Sequence, residues 1–387
     1  MNKRIVSILL TLALAIALAL SASAAGCPCN IEYHLGTKGV SSDKVTDAIP
    51  SDTKPDAKNV PKVEGLTGWV FVGWSASDPE KLPAGQNPEL VKPEDIRVKQ
   101  DTVYYAVYEP FHKHYVIGYP SGKFGPDDYI TRGSVATIIA RAGFEGIPGA
   151  EVFEEGKIYT NDAGFTDVAG HWAESAVSYC AKNGVFVGYG NGLFKPDQSI
   201  TREEYVAAVV RLARATNRLP DTSGRLVDDF LDIADAGDWA KAELRTAQTA
   251  GWVNGYADGE NAGKFLPQNP IRRDEAVKIF NGFLRRGVDA KGLEGLEEYV
   301  CMGGGDIAEG DTTKYMTWPD VPKEHWAYYE IIEAANDHAY DSAKAELPED
   351  WSRCWIDKRW RYYIDPNDNG PLGGTGDGVD ITTPPNG

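Results

Sequence analysis

An internal repeat constrains this chain more than any other feature of its sequence. The segment GYPSGKFGPD at 118–127 recurs as GYGNGLFKPD at 188–197, 70 residues later and without a gap. A third copy begins with GYADG at 255–259 and resumes with KFLP at 264–267, after a four-residue insertion. Such periods are typical of supersecondary units that bury their apolar faces only against neighbouring copies. We therefore expect this region to fold as packed copies of one unit.

Each copy runs into a predicted helix start. The tripeptides are ITR at 130–132 and 200–202 and IRR at 271–273, each followed by apolar residues at helical spacing. Thr201 and Glu204 have the spacing of a capping box, in which the hydroxyl accepts a first-turn N–H and the carboxylate accepts the N–H of the cap. The second copy therefore has the best-capped of the three helix starts.

A second motif alternates with the first. It reads F-x-D-V or a variant followed by H-W-A or D-W-A, and each occurrence leads into a second predicted helix. The order along the chain is a half unit at 116–142, whole units at 165–215 and 230–286, and a half unit at 318–340. Because single helix pairs cannot bury their apolar faces alone, we expect the terminal half to complete the initial half. The sequence thus predicts a closed, pseudo-threefold, all-α helical module.

The segment before the repeats has a different pattern. Residues 26–110 carry aromatic and β-branched runs, including FVGW at 71–74 and TVYYAVY at 102–108, separated by Gly, Pro, Asp and Asn clusters. These two motifs resemble the internalin B-type repeat, also called the Listeria–Bacteroides repeat, and the resemblance implies a small β-grasp-like fold. The predicted fold class is therefore α+β and multidomain, with this β module preceding the helical module at 111–340.

The sequence patterns at the two ends of the chain predict removal of a signal peptide at one end and disorder at the other. Residues 1–25 combine a basic start, an apolar run and small residues, which is the plan of a secretory signal peptide. Cys27 lies in a degenerate lipobox, so lipidation at Cys27 is the alternative. Residues 341–387 begin with an aromatic cluster and end in a Gly/Pro-rich segment that we expect to be disordered. The protein is accordingly expected to be exported to the cell wall or cell surface of a bacterium.

The repeat closely resembles the S-layer homology (SLH) family. Its F-x-D-V-x-x-x-H-W-A opening, G-Y-x-D-G-x-F-x-P-D turn and I-T-R-x-E helix start all occur here. The resemblance implies non-covalent anchoring to an anionic cell-wall polysaccharide, often one with pyruvylated sugars, at grooves between repeats. The residues at the family's ligand positions, together with the cap of the second copy, are Arg132, Arg202, Arg273, Trp172, Trp239, Trp326, Thr201 and Glu204.

A physical argument independently supports a ligand-binding role for the arginines. A cation on the first turn of a helix is disfavoured by the helix dipole, so an arginine there needs a further reason. A bound carboxylate or phosphate could supply it, because the anion would meet both the guanidinium and the helix terminus. We therefore expect Arg202 on an exposed first turn. The first copy has Gly133-Ser134 at the acidic positions and the third has Arg272 at the cap, so the second copy is the best site. Core packing is the alternative role for the tryptophans and arginines.

Charge and motif content narrow the remaining functions. The net charge is −18, and loss of Lys3 and Arg4 with the signal would leave 37 basic and 57 acidic residues, or −20. The electrostatic field of such a negative protein repels the phosphate backbone, so no nucleic-acid partner is expected. The sequence has no nucleophile elbow, metal-spaced histidine pair or phosphate-binding loop, so we expect no enzyme, cofactor or metal site. A surface adhesin or S-layer lattice component is the alternative, with a protein or glycan partner for the β module, and a wall-associated hydrolase is less expected.

Overall fold

The computed structural model describes residues 28–40, 44–56, 59–83, 86–91, 97–119, 121–225, 227–300, 313–340, 349 and 351–355. The predicted signal peptide, Cys27 and most of the predicted tail lie outside these residues. The chain forms two compact units, Met1–Pro110 and Phe111–Gly387. Within the described part of the chain, no helix is both long and apolar enough to cross a membrane.

The first unit is built on a mixed sheet. Its strands are β1 (Cys29–His34), β2 (Lys44–Ile49), β3 (Trp69–Ser75) and β4 (Thr102–His112), in the order β2-β1-β4-β3. The last two residues of β4 belong to the second unit. Strand β1 is antiparallel to β2 and parallel to β4, and β3 is antiparallel to β4. A 3-10 turn at Pro79–Lys81 follows β3. The chain here is β-rich, as predicted, while the β-grasp-like assignment remains a prediction.

Alternation along the strands gives the first unit its own core. Ile31 and Tyr33 on β1 are buried and point to the same face, as the two-residue period of a strand requires. The ring of Tyr33 lies 4.9 Å from that of Trp74 on β3 and 6.1 Å from that of Tyr104 on β4. Aromatic packing across three strands therefore holds this sheet together.

The second unit contains six α-helices among its described residues. They are α1 (Arg132–Ala142), α2 (Glu174–Lys182), α3 (Arg202–Ala215), α4 (Asp238–Ala250), α5 (Arg273–Leu284) and α6 (Tyr328–Ala335). They pack in pairs, α1 with α2, α3 with α4, and α5 with α6. Each pair joins the helix after the I-T-R motif of one copy to the helix after the next W-A motif.

One hydrophobic core connects all three helix pairs. Cys180 on α2 is fully buried and its thiol donates to Ala136 O on α1 at 3.2 Å, so it acts as a small core residue between these two helices. The hydroxyl of Tyr205 on α3 donates to Ala276 O on α5 at 2.6 Å. Buried hydroxyls need such acceptors, and here the acceptor belongs to a neighbouring pair.

Three backbone hydrogen bonds connect the copies in a cycle. The N–H of Ile130 donates to the carbonyl of Ile271, Ile271 donates to Ile200, and Ile200 donates to Ile130, at 3.0–3.1 Å. All three isoleucines are buried and precede the first residue of a helix by two positions. Each copy therefore contacts both of the others in the same way.

The aspartate of each F-x-D-V motif fastens a glycine-rich turn. Asp167 accepts from the N–H groups of Phe194 and Lys195 at 2.8 and 2.7 Å, and Asp232 accepts from Phe265 and Leu266, both at 2.8 Å. The third equivalent joins the two terminal half units, with Asp320 accepting from Phe124 and Gly125 at 2.9 and 2.8 Å.

The prediction that the second unit is all-α is wrong. Strands β5 (Glu297–Val300) and β6 (Lys314–Thr317) form a parallel pair, and β7 (Asp337–Tyr340) follows α6 directly. Each of these strands is only four residues long. Runs of this length give too little alternation to be recognised in sequence, and the pairing partner supplies most of the hydrogen bonds.

Part of the predicted tail also has regular structure. Strand β8 (Trp351–Trp355) pairs antiparallel with β7, whose other edge pairs with Phe111 and His112 at the end of β4. The backbone N–H of Glu349 donates to Gly287 O at 2.7 Å. Aromatic residues favour strands, so this cluster is the part of the tail best suited to extend a sheet.

Candidate functional site

The three helix starts differ in how completely they are capped. At α3 the N–H of Glu204 donates to Thr201 Oγ1 at 3.3 Å, and the N–H of Thr201 donates to Glu204 Oε2 at 3.1 Å, which completes the predicted capping box. At α1 only the hydroxyl half is present, from Thr131. At α5 the carboxylate half is present, with Arg272 N donating to Glu275 Oε2 at 3.1 Å. The cap residue is an arginine, which has no hydroxyl to accept a first-turn N–H.

The first-turn donors of these helices are already bonded to protein. The N–H of Arg202 donates to Asn269 O at 2.9 Å and that of Glu203 to Pro267 O at 3.0 Å. Equivalent bonds run from α1 to the turn ending at 198 and from α5 to the turn ending at 128. The prediction of an anion bound at these helix termini therefore needs correction, because the neighbouring copy supplies carbonyl oxygens to the donors that an anion would use.

The three arginines are buried. Their exposed fractions are 4% for Arg132, 6% for Arg202 and 2% for Arg273, so the expectation that Arg202 lies on an exposed first turn is wrong. The cause is the same neighbouring turn, which folds over the helix start and accepts from Nε of each arginine. The acceptors are Phe194 O at 2.8 Å, Phe265 O at 2.7 Å and Phe124 O at 3.1 Å, respectively.

A carboxylate of the neighbouring copy lies beside two of the three guanidinium groups. Arg132 Nη1 lies 3.3 Å from Glu204 Oε1, and Arg202 Nη1 lies 2.7 Å from Glu275 Oε1. At the third interface the equivalent position is Ser134, and Arg273 Nη2 instead donates to Ile117 O at 3.0 Å. These contacts give each arginine a structural role between copies, and they explain its presence on a first turn without a ligand.

A tyrosine of the glycine-rich turn packs on every arginine. The guanidinium carbon lies 4.6 Å from the ring centre of Tyr189 for Arg132, 5.2 Å from Tyr256 for Arg202, and 4.8 Å from Tyr119 for Arg273. The hydroxyl of Tyr189 also donates to Glu204 Oε1 at 2.7 Å. Burial, together with this carboxylate, raises the pKa of Tyr189 to about 12, so the hydroxyl keeps its proton and remains a donor.

The predicted tryptophans differ in exposure. Trp239 and Trp326 are each 50% exposed, whereas Trp172 is partly buried and packs against the hydrophobic core near the start of α1. Gly133 permits this approach, because a Cβ there would lie 3.1 Å from Ala173 Cβ and 3.4 Å from Trp172 Cζ2. The rings of the two exposed indoles are accessible for stacking with a ligand, while Trp172 packs mainly within the protein.

Two cations missed in the sequence analysis accompany the exposed tryptophans. The guanidinium carbon of Arg211 lies 5.9 Å from the ring centre of Trp239, and Lys278 Nζ lies 5.5 Å from that of Trp326. Both are near the outer range for a cation–π contact. They occupy different helix positions, nine residues after the first of α3 and five after the first of α5, so the repeat comparison gave no signal for them.

An acidic residue at each of these two sites holds the tryptophan loop. Glu203 accepts from Gly237 N and from Gln268 Nε2, both at 2.9 Å, and so fixes the loop that carries Trp239. Asp274 lies 3.8 Å from His325 Nε2, next to Trp326. Burial raises the pKa of Asp274, although Arg272 opposes the shift. Trp239 of the third copy and Trp326 of the last half unit thus each lie near an acidic residue on the first turn of the preceding helix, Glu203 of α3 and Asp274 of α5.

Comparison with known proteins finds matches to the repeats. The family model of the S-layer homology domain matches residues 114–136, 164–206 and 229–277. Cell surface glycoprotein 1 of Acetivibrio thermocellus is 32% identical over 239 residues, which cover 59% of this chain and 9% of that protein. The cellulosome-anchoring protein of the same organism is 30% identical over 230 residues, which cover 59% of this chain and 43% of it.

An uncharacterised cell wall amidase of Bacillus anthracis is 31% identical over 163 residues, which cover 42% of this chain and 27% of the amidase. The chain therefore spans less than half the length of each of these relatives. Its similarity to them and the three family matches agree with the repeat read from the sequence. The three segments that match the S-layer homology domain model contain all three arginines as well as Trp172 and Trp239.

Proposed function

We propose that the second unit anchors an exported protein non-covalently to an anionic cell-wall polysaccharide. The observation that carries this proposal is that two half-exposed tryptophans, Trp239 and Trp326, occupy the same position of the W-A motif and that a cation lies beside each of them. The names of two relatives, a cell surface glycoprotein and a cellulosome-anchoring protein, favour a surface role. Pyruvylated sugars are the expected acidic groups of the ligand.

In this proposal the predicted site residues have two different roles. Trp239 and Trp326 stack on apolar sugar faces, and Arg211 and Lys278 attract carboxylates of the polymer. Arg132, Arg202 and Arg273 hold adjacent copies together. Thr201 and Glu204 fix the start of α3, and Trp172 contributes through its exposed edge.

Long-range charge cannot drive this binding. A net charge of −18 repels an acidic polymer, so binding of the polymer depends on local cations. Arg211 is suited to this, because it lies on a helix in the core of the second unit and is partly covered. Burial lowers its pKa, with Glu243 opposing the shift, and its charge persists at neutral pH.

The β module supports a second candidate function, as an adhesin or lattice contact. A pocket of about 490 Å³ in the first unit is lined by aromatic residues that include Trp69, Tyr105 and Tyr108. Lys38 Nζ lies 4.4 Å from the ring centre of Trp69. Apolar pockets with a few polar groups are common ligand sites. The test is glycan and peptide array binding by wild type and Trp69→Ala, with loss of a specific hit in the variant as support.

Export and the absence of catalysis also belong to the proposal. Mass spectrometry of the secreted protein distinguishes cleavage after residue 25 from lipidation at Cys27. The similarity to a cell wall amidase covers 27% of that enzyme, so it does not bring the amidase activity to this chain. Purified protein is expected to leave wall material intact in a hydrolysis assay.

The test of anchoring is co-sedimentation with purified wall polysaccharide before and after chemical removal of its acidic substituents. We expect retention on the native polymer and loss on the stripped polymer. Equal retention on both would refute the acidic-ligand proposal, and no retention on either would refute anchoring.

A further inference from the structure

Four side chains with metal-ligand chemistry converge in the second unit, away from the tryptophan sites. They are His112 at the end of β4, Glu333 on α6, His338 on β7, and Glu349. One ligand atom from each lies within 4.8 Å of all the others. His112 and His338 are directly opposite each other in the β4–β7 pair, which brings the two imidazoles together.

The cluster is buried. Glu333 and His338 are fully inaccessible, Glu349 is 6% exposed, and the side chain of His112 is 15% exposed. Both carboxylate oxygens of Glu333, Nδ1 of His112 and Oε2 of Glu349 are inaccessible and have no hydrogen-bond partner within the described residues. Burying carboxylates in this way is costly unless a positive charge compensates them.

The distances fit ligands around one ion better than direct ion pairs. The nitrogen–oxygen separations are 3.3 and 3.5 Å from His338 to Glu333 and Glu349, and 3.7 and 3.5 Å from His112 to the same carboxylates. Charge-assisted hydrogen bonds are shorter, at roughly 2.7–2.9 Å. Ligand atoms around a tetrahedral Zn²⁺, with bonds of about 2.0–2.2 Å, are separated by about 3.3–3.6 Å.

The orientation of His338 is that of a metal ligand. Its Nδ1 lies 3.0 Å from the carbonyl oxygen of Asn336, so Nδ1 carries the proton and donates to that acceptor. In the neutral imidazole, Nε2 then presents its lone pair to the two carboxylates. A backbone carbonyl that fixes the tautomer in this way is the usual outer-shell partner of a ligating histidine.

We propose that His112, Glu333, His338 and Glu349 form a closed, four-ligand site for a divalent transition metal, with Zn²⁺ as the best fit. Two imidazole nitrogens and two carboxylate oxygens suit Zn²⁺ better than Ca²⁺ or Mg²⁺, which prefer oxygen ligands alone. Four protein ligands leave no open position, so the site is structural. The ion would join the start of the second unit to α6, β7 and residue 349.

A second group with ligand spacing is a weaker candidate. Asp127, Asp274 and His325 lie within the same distance of one another. Arg272 already occupies the space near the two carboxylates, at 3.3 Å from Asp127 and 3.1 Å from Asp274. A protein cation therefore compensates these acids, and we expect no metal at this second group.

The test is a Zn²⁺ titration of the purified full chain after its metals have been removed with a chelator. We expect one tightly bound Zn²⁺, and Co²⁺ in its place should give the intense visible absorption of a tetrahedral site. Glu333→Gln removes a ligand at nearly constant volume. It should weaken Zn²⁺ binding by more than the roughly 10–100-fold that loss of an outer-shell partner costs.

His34→Gln is the matched control, because His34 pairs with Glu32 at 2.6 Å in the first unit and lies outside the cluster. It should bind Zn²⁺ as wild type does. Near-UV circular dichroism checks folding, and His112→Gln, at the more exposed edge, replaces Glu333→Gln if that variant does not fold. A wild type that binds no Zn²⁺, or binds it no more tightly than the cluster variant, overturns the proposal.

Discussion

The carboxylate of Asp320 accepts the backbone N–H of Phe124, which lies 196 residues earlier in the chain, at 2.9 Å. Its second oxygen accepts from Gly125 at 2.8 Å. The same pair of bonds occurs within the second copy, at Asp167, and within the third, at Asp232. The last half unit therefore contacts the first half unit through the interaction that the whole units make internally.

We expect Asp320→Ala to destabilise the first half unit. The substitution leaves two backbone N–H groups without their acceptor, which typically costs about 1–3 kcal/mol per buried group. Hydrogen exchange at the amides of Phe124 and Gly125 measures the effect and should accelerate. Asp162→Ala, at an exposed loop position, is the control. Unchanged protection of these amides in Asp320→Ala would mean that the terminal halves do not depend on each other.

Arg202→Ala is expected to destabilise the protein, because the arginine is buried against Glu275. Removing one member of a buried pair leaves the other charge uncompensated, at a cost on the order of 3–5 kcal/mol. Arg202→Lys should recover only part of this, since it loses the bond from Nε to Phe265 O. Denaturant unfolding of both variants provides the measurement.

The control for this series is Arg245→Ala. Arg245 pairs with Asp229 at 2.7 Å, but the two side chains are 50% and 42% exposed. Exposed pairs contribute less than about 1 kcal/mol. If Arg202→Ala is no more destabilising than Arg245→Ala, the assigned role of the arginine between copies is wrong.

The stability of the second unit should fall in acid through Asp167. Burial opposes the shift, but hydrogen bonds from Phe194 and Lys195 lower the pKa of Asp167 below its ordinary 3.8. A lowered folded-state pKa stabilises the protein above the ordinary value, and this contribution is lost as pH falls through the folded-state pKa. Urea unfolding from pH 5 down to about pH 3 measures it. Asp167→Asn should lose less stability over this range, and an identical loss would exclude the assignment.

Salt should weaken wall binding only modestly. Screening reduces the attraction between local cations and the polymer, but it also reduces the repulsion caused by the net charge of −18. Co-sedimentation at increasing sodium chloride concentration measures the balance. A steep loss of binding with increasing salt, of the kind typical of polyelectrolyte binding, would contradict binding through a few local contacts.

The repeat made most of the helical architecture predictable. The period located the three helix starts and the capping box at Thr201, because caps and amphipathic faces are local properties of sequence. The exposure of Arg202 was predicted wrongly, since the turn that covers it belongs to the next copy, more than 60 residues away. Local patterns do not report which distant carbonyl will meet a side chain.

The metal-ligand cluster was missed for a similar reason. The sequence pattern gave no indication of it, because its ligands come from separate parts of the chain. His112 and Glu349 are 237 positions apart in the chain, and the pairing of β4 with β7 brings their neighbourhoods together. Strands β5 to β8 are four or five residues long and gave no periodic signal that would have indicated this pairing.

The central claim is that the exposed indoles of the repeats bind the wall polymer. Calorimetric titration of purified wall polysaccharide into the Trp239→Ala/Trp326→Ala double variant tests it most directly. Truncation of two contact residues at about 1 kcal/mol each should weaken binding roughly thirtyfold. Ile158→Ala removes an apolar side chain that is 87% exposed, and it should bind as wild type does. Wild-type affinity in a correctly folded double variant would contradict the account.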